Sequence, residues 1–474
     1  MRAAYPLLYN TAMRKWLSAV VRKTNWKMWG TLTLLLLLPL LYQTLETALF
    51  KRMPNTSSYE MANSMPWVYW IFSSLEAAVL LPSFYLFGSV RDNPQEIGKR
   101  LRAGIVMVFA VYASLAILVA AFAPQIVAWQ SKRGEDAVFN DLVYYVRLEA
   151  VGLVFSALLN FCLVMLIATN QAKPFFLHLA ISLSTRALFD VFIASPLPCS
   201  LNVGSSGIAA ASIVSPALSL LAIALWVRKY GIELFSFHGI DAGWFAHVWT
   251  GVFWALLEAI LRNMVYLALI RRVLLSSSAY ASLSASWEFL LAWILLPIRS
   301  LYYTELGDFG ASRTAAFKRF AVYFFWASVL LLFGACLMPI YPMFIRVVLK
   351  KETLYWVPLT LFPFACFYAY SRIFEGIFYG RYLFMPAFFR SLLAAAVFLL
   401  SAYPALLSGA YDPVSAPAWA SFLFAAWYPF VEFGCTLGFF VYHISLAGAI
   451  DWGLHEPVER RFHPKKKKRE AAEN

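Results

Sequence analysis

The sequence contains few charged residues, and this shortage limits the class of protein it can form. Only 14% of the 474 residues are charged, whereas 61% are hydrophobic and the mean hydropathy is +0.67. Soluble domains carry about 25% charged residues, which cover their surfaces. A soluble fold is therefore excluded, as are disordered and collagen-like chains. The composition indicates an integral membrane protein.

Cysteine and histidine are also scarce. The five cysteines are odd in number and scattered, and all but Cys199 lie inside apolar runs, which argues against a disulfide framework. The six histidines show no spacing typical of a metal site. The sequence contains no constellation of nucleophile and base. We therefore expect no metal, no cofactor and no enzymatic activity.

Basic residues exceed acidic ones and give a net charge of +14. The tail 446–474 contains the run HPKKKKRE, residues 463–470, which has four consecutive lysines but no stacking aromatics, so we expect contact with anionic lipid and no nucleic-acid partner. Segment 1–28 mixes basic and apolar residues and predicts an interfacial amphipathic helix.

Twelve apolar stretches reach the length of about 20 residues that a helix needs to cross a bilayer. The predicted spans are 29–50, 66–90, 103–126, 142–167, 174–194, 207–227, 246–270, 280–302, 320–345, 354–380, 386–407 and 418–443. Alternating loops place about 24 basic residues on one side and about 9 on the other. The richer side is predicted to be cytoplasmic, with both termini there, in a multi-pass protein of the plasma (inner) membrane.

The two halves of the chain resemble each other. Loop 89–102 after span two and loop 305–319 after span eight are both charged, and Pro174 and Pro386 open spans five and eleven after similar turns. Such a duplication predicts two six-helix bundles related by a two-fold axis along the membrane normal, with a cleft between them. The predicted domains are the bundles 29–227 and 246–445, joined by a cytoplasmic linker, 228–245.

Charges inside spans cost at least about 2.5–3.5 kcal/mol each near the bilayer centre, so they are functional candidates that face a bundle interior or a cavity. The basic ones are all arginine: Arg147, Arg186, Arg262, Arg299, Arg372 and Arg390. The acidic ones are Glu46, Glu76, Glu149, Asp190, Glu258, Glu288, Glu375 and Glu432.

Some of these charges are spaced for pairing along one helix. The pairs are Arg186 with Asp190, Glu258 with Arg262, and Arg372 with Glu375. They could be structural, or Glu258 beside Arg262 and Asn263 could hold or exchange a cation.

Glu76, Glu288 and Glu432 have no partner close in sequence. A desolvated carboxylate favours its protonated form, which suits a proton-coupled carrier. Alternatively, each of the three meets one of the lone arginines Arg147, Arg299 and Arg390 across helices.

Two motifs resemble the multidrug and toxic compound extrusion (MATE) family. The segment LNVGSSGIAAASIVS, residues 201–215, is similar to the small-residue run that leads into that family's sixth span, and GIFYG, residues 376–380, followed by Pro386, resembles the turn after its tenth span. The resemblance implies two bundles in a V and alternating-access export driven by sodium or protons. It also implies a coupling role for Glu258, whereas the family's first-span and tenth-span acids would fall near Met53 and Tyr368, which are not acidic.

The leading hypothesis is a secondary active transporter that exports an organic solute or drug, driven by a proton or sodium gradient. Its expected partners are the bilayer, a small organic substrate and the coupling ion, and we expect a monomer. The coupling candidates are Glu258, Glu76, Glu288 and Glu432, and the supporting candidates are Arg262, Asn263, Arg372, Glu375, Arg186 and Asp190.

The alternative is a flippase or carrier for an anionic substrate, a lipid-linked sugar or an organic acid, bound by embedded arginines. Arginines that line the cleft would favour an anion, and arginines buried against acids would favour an organic cation.

Overall fold

The computed structural model describes residues 17–50, 66–131, 137–195, 197–201, 203, 205–229, 232, 242–266, 280–311, 316–348, 355–408 and 418–449. Within these ranges every regular element is helical. The tail from residue 450, which the sequence predicts to contact lipid, lies outside the described residues. The first 16 residues of the predicted interfacial helix also lie outside them, whereas residues 17–23 of that segment are helical.

The first half contains α1 (Trp26–Phe50), α2 (Pro66–Gly88), α3 (Pro94–Ala121), α4 (Ala137–Ala168), α5 (Lys173–Phe189) and α6 (Ser205–Arg228), with a short helix, Ala123–Ser131, after α3 and a π-helical turn, Asp190–Ala194, after α5. The second half contains α7 (Ala242–Met264), α8a (Tyr280–Phe289), a π-helical turn (Leu290–Ile294), α8b (Leu296–Ala311), α9a (Ala316–Cys336), a 3₁₀ turn (Met338–Ile340), α9b (Tyr341–Val347), α10 (Trp356–Gly380), α11 (Phe384–Leu407) and α12 (Ala418–Ala449).

The helices confirm an all-α polytopic membrane protein. Among the described residues, eight helices are long and apolar enough to cross a membrane. The number rises to ten if each of two bent helix pairs counts as one span. The pairs α8a–α8b and α9a–α9b each bend by 51°. Helices α7 and α12, which the sequence also predicts to span, fall outside this count but run for 23 and 32 residues.

The helix that contains predicted span eight extends further than the sequence predicts. The sequence predicts that span eight ends at residue 302 and that a loop begins at residue 305, but α8b continues to Ala311. The helix continues because Leu306 and Phe309 keep an apolar face buried against the core. Glu305 and Asp308, which the sequence places in a loop, therefore lie inside a helix.

The turns after α4 and α10 show the internal repeat at atomic detail. Asn170 and Tyr382, each four residues before a proline, are the non-glycine residues with positive φ among those described, at 59° and 64°. The next residue in each turn donates its backbone N–H to the carbonyl five residues earlier, Gln171 to Leu166 at 2.8 Å and Leu383 to Phe378 at 2.7 Å. The two halves thus end these helices with the same left-handed cap.

Helix packing follows the same two-fold pattern. In the first half α4 packs on α2, α3 and α6, and in the second half α10 packs on α8b, α9a and α12. Between the halves α1 packs on α8b and α2 packs on α7, and a two-fold rotation exchanges these two contacts. The duplicated halves form two related bundles that meet along α1, α2, α7 and α8b.

Candidate functional site

A cavity of about 710 Å³ lies between the two bundles. Helices α1, α2, α4 and α5 form one wall, and the π-helical turn Leu290–Ile294, α8b and α10 form the other. The first wall presents Ser73, Glu76 and Asn160 among leucine side chains. The second wall presents two arginines and three tyrosines: Arg299, Arg372, Tyr302, Tyr303 and Tyr368. One wall therefore carries a carboxyl group, and the facing wall carries two guanidinium groups.

The bundles touch beyond one end of this cavity. Phe84 of α2 and Tyr303 of α8b line the cavity and stack on each other with ring centroids 6.3 Å apart. One turn further along α2, Gly88 lies against Gly310 so closely that a Cβ on Gly88 would come within 2.4 Å of the Gly310 carbonyl carbon. Only glycine permits this backbone approach. The cavity is thus closed at the end where α2 and α8b terminate.

A buried ion network holds the second bundle together. It joins α7, α10, α11 and α12 and contains three arginines and three glutamates, so its formal charges balance. Its members are Glu258, Arg262, Arg372, Glu375, Arg390 and Glu432. Five coupling or supporting candidates from the sequence, Glu432 among them, are thereby joined in one cluster with Arg390.

Arg390 is the most buried arginine of the network, with 0% of its surface exposed. Its Nη2 donates to Glu258 Oε1 at 2.6 Å, and its Nη1 donates to Glu375 and, at 3.1 Å, to Thr436. Glu258 Oε1 also accepts hydrogen bonds from Tyr379 at 2.6 Å and Ser391 at 2.9 Å. The carboxylate of Glu258 is therefore already neutralised and well solvated by protein donors.

Arg262 and Arg372 complete the network. Arg262 lies 2.8 Å from Glu432, 3.4 Å from Glu375 and 3.8 Å from Glu258. Two of the three pairs that the sequence spacing predicts, Glu258 with Arg262 and Arg372 with Glu375, are thus present, at 3.8 and 2.8 Å. Arg372 also stacks on Tyr368, 4.7 Å from its ring centroid, and it reaches the cavity. The network therefore contacts the cavity through one guanidinium group.

Glu76 stands apart from the network. It lines the cavity from α2 and accepts a hydrogen bond from Asn160 Nδ2 of α4 at 2.6 Å. No ion pair of the described residues includes Glu76. Its hydrogen-bond partner is the uncharged amide of Asn160. A cavity-facing carboxyl group without a cation can bind and release a proton as its access to water changes.

The other sequence candidates lie away from the cavity or at its margin. Asp190 is buried and accepts a hydrogen bond from Tyr42 at 2.5 Å, while Arg186 is exposed. Glu288 lies on an exposed surface of α8a. Asn263 donates to Ser74 at 2.8 Å and so ties α7 to α2 between the bundles.

Three residues matter more in the structure than the sequence suggested. Asn160, the partner of Glu76, is a polar residue inside the apolar run of α4, and this interruption is a signal that could have identified it. Glu305 is fully buried beside Gly376, and its two carboxyl oxygens have no hydrogen-bond donor within the described part of the chain. Arg299, one of the six embedded arginines and not among the site candidates, lines the cavity.

No protein-family model and no curated protein matches the sequence. Solved structures do match. The outward-facing conformation of a multidrug resistance MATE family transporter of the MOP superfamily has a TM-score of 0.72 at 11% identity, covering 91% of this chain and 98% of that one.

Two further structures agree. A MOP superfamily transporter from Pyrococcus furiosus Vc1 has a TM-score of 0.69 at 11% identity over 91% of this chain and 97% of its own. A mutant of the Vibrio cholerae MATE transporter VcmN has a TM-score of 0.69 at 11% identity over 93% and 99%. The chain therefore has the fold of the MATE transporters, the family that its two short motifs resemble.

Proposed function

We propose that the protein is a secondary active transporter that moves an organic solute through the central cavity by alternating access. The observation that supports this proposal most directly is the position of the cavity. It lies at the seam between two bundles related by a two-fold repeat, and the bundles close it at one end through a glycine contact. A rocking motion of one bundle against the other would open that end and close the opposite one.

We propose Glu76 as the proton-binding group of this transporter. It is the cavity-lining carboxyl group, and its only hydrogen-bond donor within the described part is the neutral side chain of Asn160. Glu258 and Glu432, in contrast, are held by arginines of the buried ion network. Exchange of a proton at either of them would leave an arginine uncompensated inside the bundle. Export as the direction of transport stays a prediction from the resemblance.

The test is whether a cavity residue becomes accessible from both sides of the membrane. Ser73 lines the cavity, and its side chain is exposed to that space. A Ser73→Cys variant, with the five native cysteines replaced, is treated with a membrane-impermeant maleimide from either side of sealed vesicles. Alternating access predicts labelling from both sides.

A matched control comes from α3. Ser114 is exposed but lies on a face with Ile117 and Leu118, which are exposed and apolar as expected of a lipid-facing surface. Ser114→Cys should resist the reagent from both sides, because a thiol in lipid does not ionise. Labelling of Ser73→Cys from one side alone, under all conditions, would show a static vestibule and contradict the proposal.

A further inference from the structure

We propose that the cavity binds an organic anion whose charged head lies between Arg299 and Arg372. This inference names the substrate class of the transporter proposed above and so rests on that function.

The first observation is the isolation of Arg299. It lies in α8b, just beyond the bend of span eight, and its side chain is exposed to the cavity. Within the described part of the chain its guanidinium group makes no ion pair and no hydrogen bond. An uncompensated charge at membrane depth is costly unless it faces a water-filled cavity or a counter-ion. Arg299 is therefore placed to receive a negative group.

The second observation is that Arg372 is paired with Glu375 and still exposed to the cavity. Its Nη1 donates to Glu375 Oε2 at 2.8 Å, and 24% of the side chain stays exposed toward the cavity. Glu375 also receives Arg262 and Arg390, so its charge is shared among three guanidinium groups. A guanidinium carries five N–H donors, and Arg372 retains donors for a ligand. Arginine binds carboxylate, sulfonate and phosphate groups bidentately.

The third observation comes from the internal repeat. Asn160 and Arg372 each lie ten residues before the positive-φ residue of their turn, so they occupy equivalent positions in α4 and α10. Both line the cavity. The first bundle uses this position to hold Glu76 with a neutral amide, whereas the second bundle presents a cation there. The two walls have thus diverged in charge, and the second is the anion-binding wall.

The remaining lining describes the body of the ligand. Tyr302, Tyr303 and Tyr368 surround the two arginines, and apolar side chains, leucine foremost, cover most of the other wall. A cavity of about 710 Å³ fits a small amphipathic molecule with an aromatic or aliphatic body.

The experiment compares three probes that share one aromatic body and differ in charge. They are 1-pyrenesulfonate, 1-pyrenemethanol and 1-pyrenemethylammonium, and energy transfer from tryptophan reports their binding to the full chain in nanodiscs of zwitterionic lipid. We expect the sulfonate to bind most tightly. Arg299→Gln should weaken sulfonate binding about tenfold, as expected for loss of a charge-assisted hydrogen bond. Arg299→Lys should recover part of this loss.

Two controls keep the result interpretable. Unchanged binding of the neutral alcohol by Arg299→Gln shows that the variant is folded. Arg147→Gln removes an exposed arginine outside the cavity, whose Nε donates to the Ala120 carbonyl, and should leave all three affinities unchanged. Nanodiscs with added phosphatidylglycerol identify the source of the anion. If phosphatidylglycerol displaces the sulfonate probe, the site binds a lipid head group; if the probe keeps its affinity, the site binds a free solute.

Tighter binding of the cationic probe, or an Arg299→Gln variant that keeps the full sulfonate affinity, would overturn the inference. Neither result would affect the labelling of Ser73→Cys from the two membrane sides, which tests transport itself. Failure of the substrate class and failure of the proposed function are therefore distinguishable.

Discussion

Arg390 and Glu258, 132 residues apart in the chain, form an ion pair at 2.6 Å in the interior of the second bundle. Neither side chain is more than 3% exposed. The pair connects α11 to α7, and Glu375 extends it to α10. The charges of this network balance one another. Glu76 and Arg299, which line the cavity, in contrast form no ion pair within the described part of the chain. This contrast separates the residues that hold the bundle together from those that act on a ligand.

Removing Arg390 should destabilise the protein severely. Arg390→Met leaves Glu258 and Glu375 without their most buried counter-ion, and breaking a buried pair costs about 3–5 kcal/mol. We expect a large drop in melting temperature in detergent. The double variant Arg390→Met with Glu258→Gln restores the charge balance and should recover part of the loss. Arg147→Met, at an exposed arginine, is the control and should melt like the parent; equal melting of Arg390→Met would refute a structural network.

Glu305 should be replaceable without loss of stability. Its carboxyl group is fully buried and receives no hydrogen bond from the described residues, so Glu305→Leu removes a buried polar group without breaking a hydrogen bond. We expect an unchanged or higher melting temperature. A fall of more than about 2 kcal/mol in unfolding free energy would mean that the carboxyl group has a stabilising partner.

Gly376 should be essential to the packing around Glu305. A Cβ at this position would lie 2.6 Å from the Glu305 carboxyl carbon. Gly376→Ala should therefore cost about 1–3 kcal/mol by overpacking. The cost should shrink when combined with Glu305→Ala, and a double-mutant cycle of unfolding free energies measures this coupling. Strictly additive effects would place the two side chains out of contact.

Glu76 should make anion binding depend on pH. Asn160 of α4, Tyr112 of α3 and Tyr303 of α8b surround it, and Arg299 and Arg372 face it across the cavity. Protonation of Glu76 removes a negative charge from the cavity, so 1-pyrenesulfonate, which stays ionised, should bind more tightly as pH falls. Glu76→Gln should show the low-pH affinity at every pH. A variant with the parental pH profile would assign the proton to another group.

Gly88 should control the closed end of the cavity. An alanine there meets the backbone of Gly310 at 2.4 Å and opposes the closed arrangement. In a protein that carries both Gly88→Ala and Ser73→Cys, the cysteine at position 73 should therefore be labelled faster from the membrane side on which α2 ends. Gly438→Ala is the control, because a Cβ at Gly438 meets nothing within 4 Å. Equal labelling ratios in both variants would show that the Gly88 contact does not gate the cavity.

The sequence was informative where the physical signal is local. Hydropathy located the helices, and the prolines after similar turns revealed the repeat that Asn170 and Tyr382 now show in their backbone. Spacing along one helix predicted the pairing of Glu258 with Arg262.

Contacts between distant segments could not be read in the same way. The strongest partner of Glu258 is Arg390, on another helix, and no helical periodicity connects them. Glu305 was assigned to a loop because Asp308 and the basic residues after it resemble a cytoplasmic segment, yet the apolar face of α8b continues past it. Which charges face the cavity depends on how the two bundles meet.

The most direct test of alternating access is a disulfide across the seam between the bundles. Thr33 of α1 and Ser300 of α8b have side-chain oxygens 2.8 Å apart, close enough for paired cysteines to bond. Ser182 and Ser215, 3.2 Å apart on α5 and α6, provide a matched pair inside one bundle. Both pairs are built into the Ser73→Cys protein that lacks the native cysteines. Oxidation of Thr33→Cys with Ser300→Cys should confine labelling to one side until a reductant restores it, while oxidation of the control pair should leave labelling two-sided. Two-sided labelling with the seam locked would contradict the account.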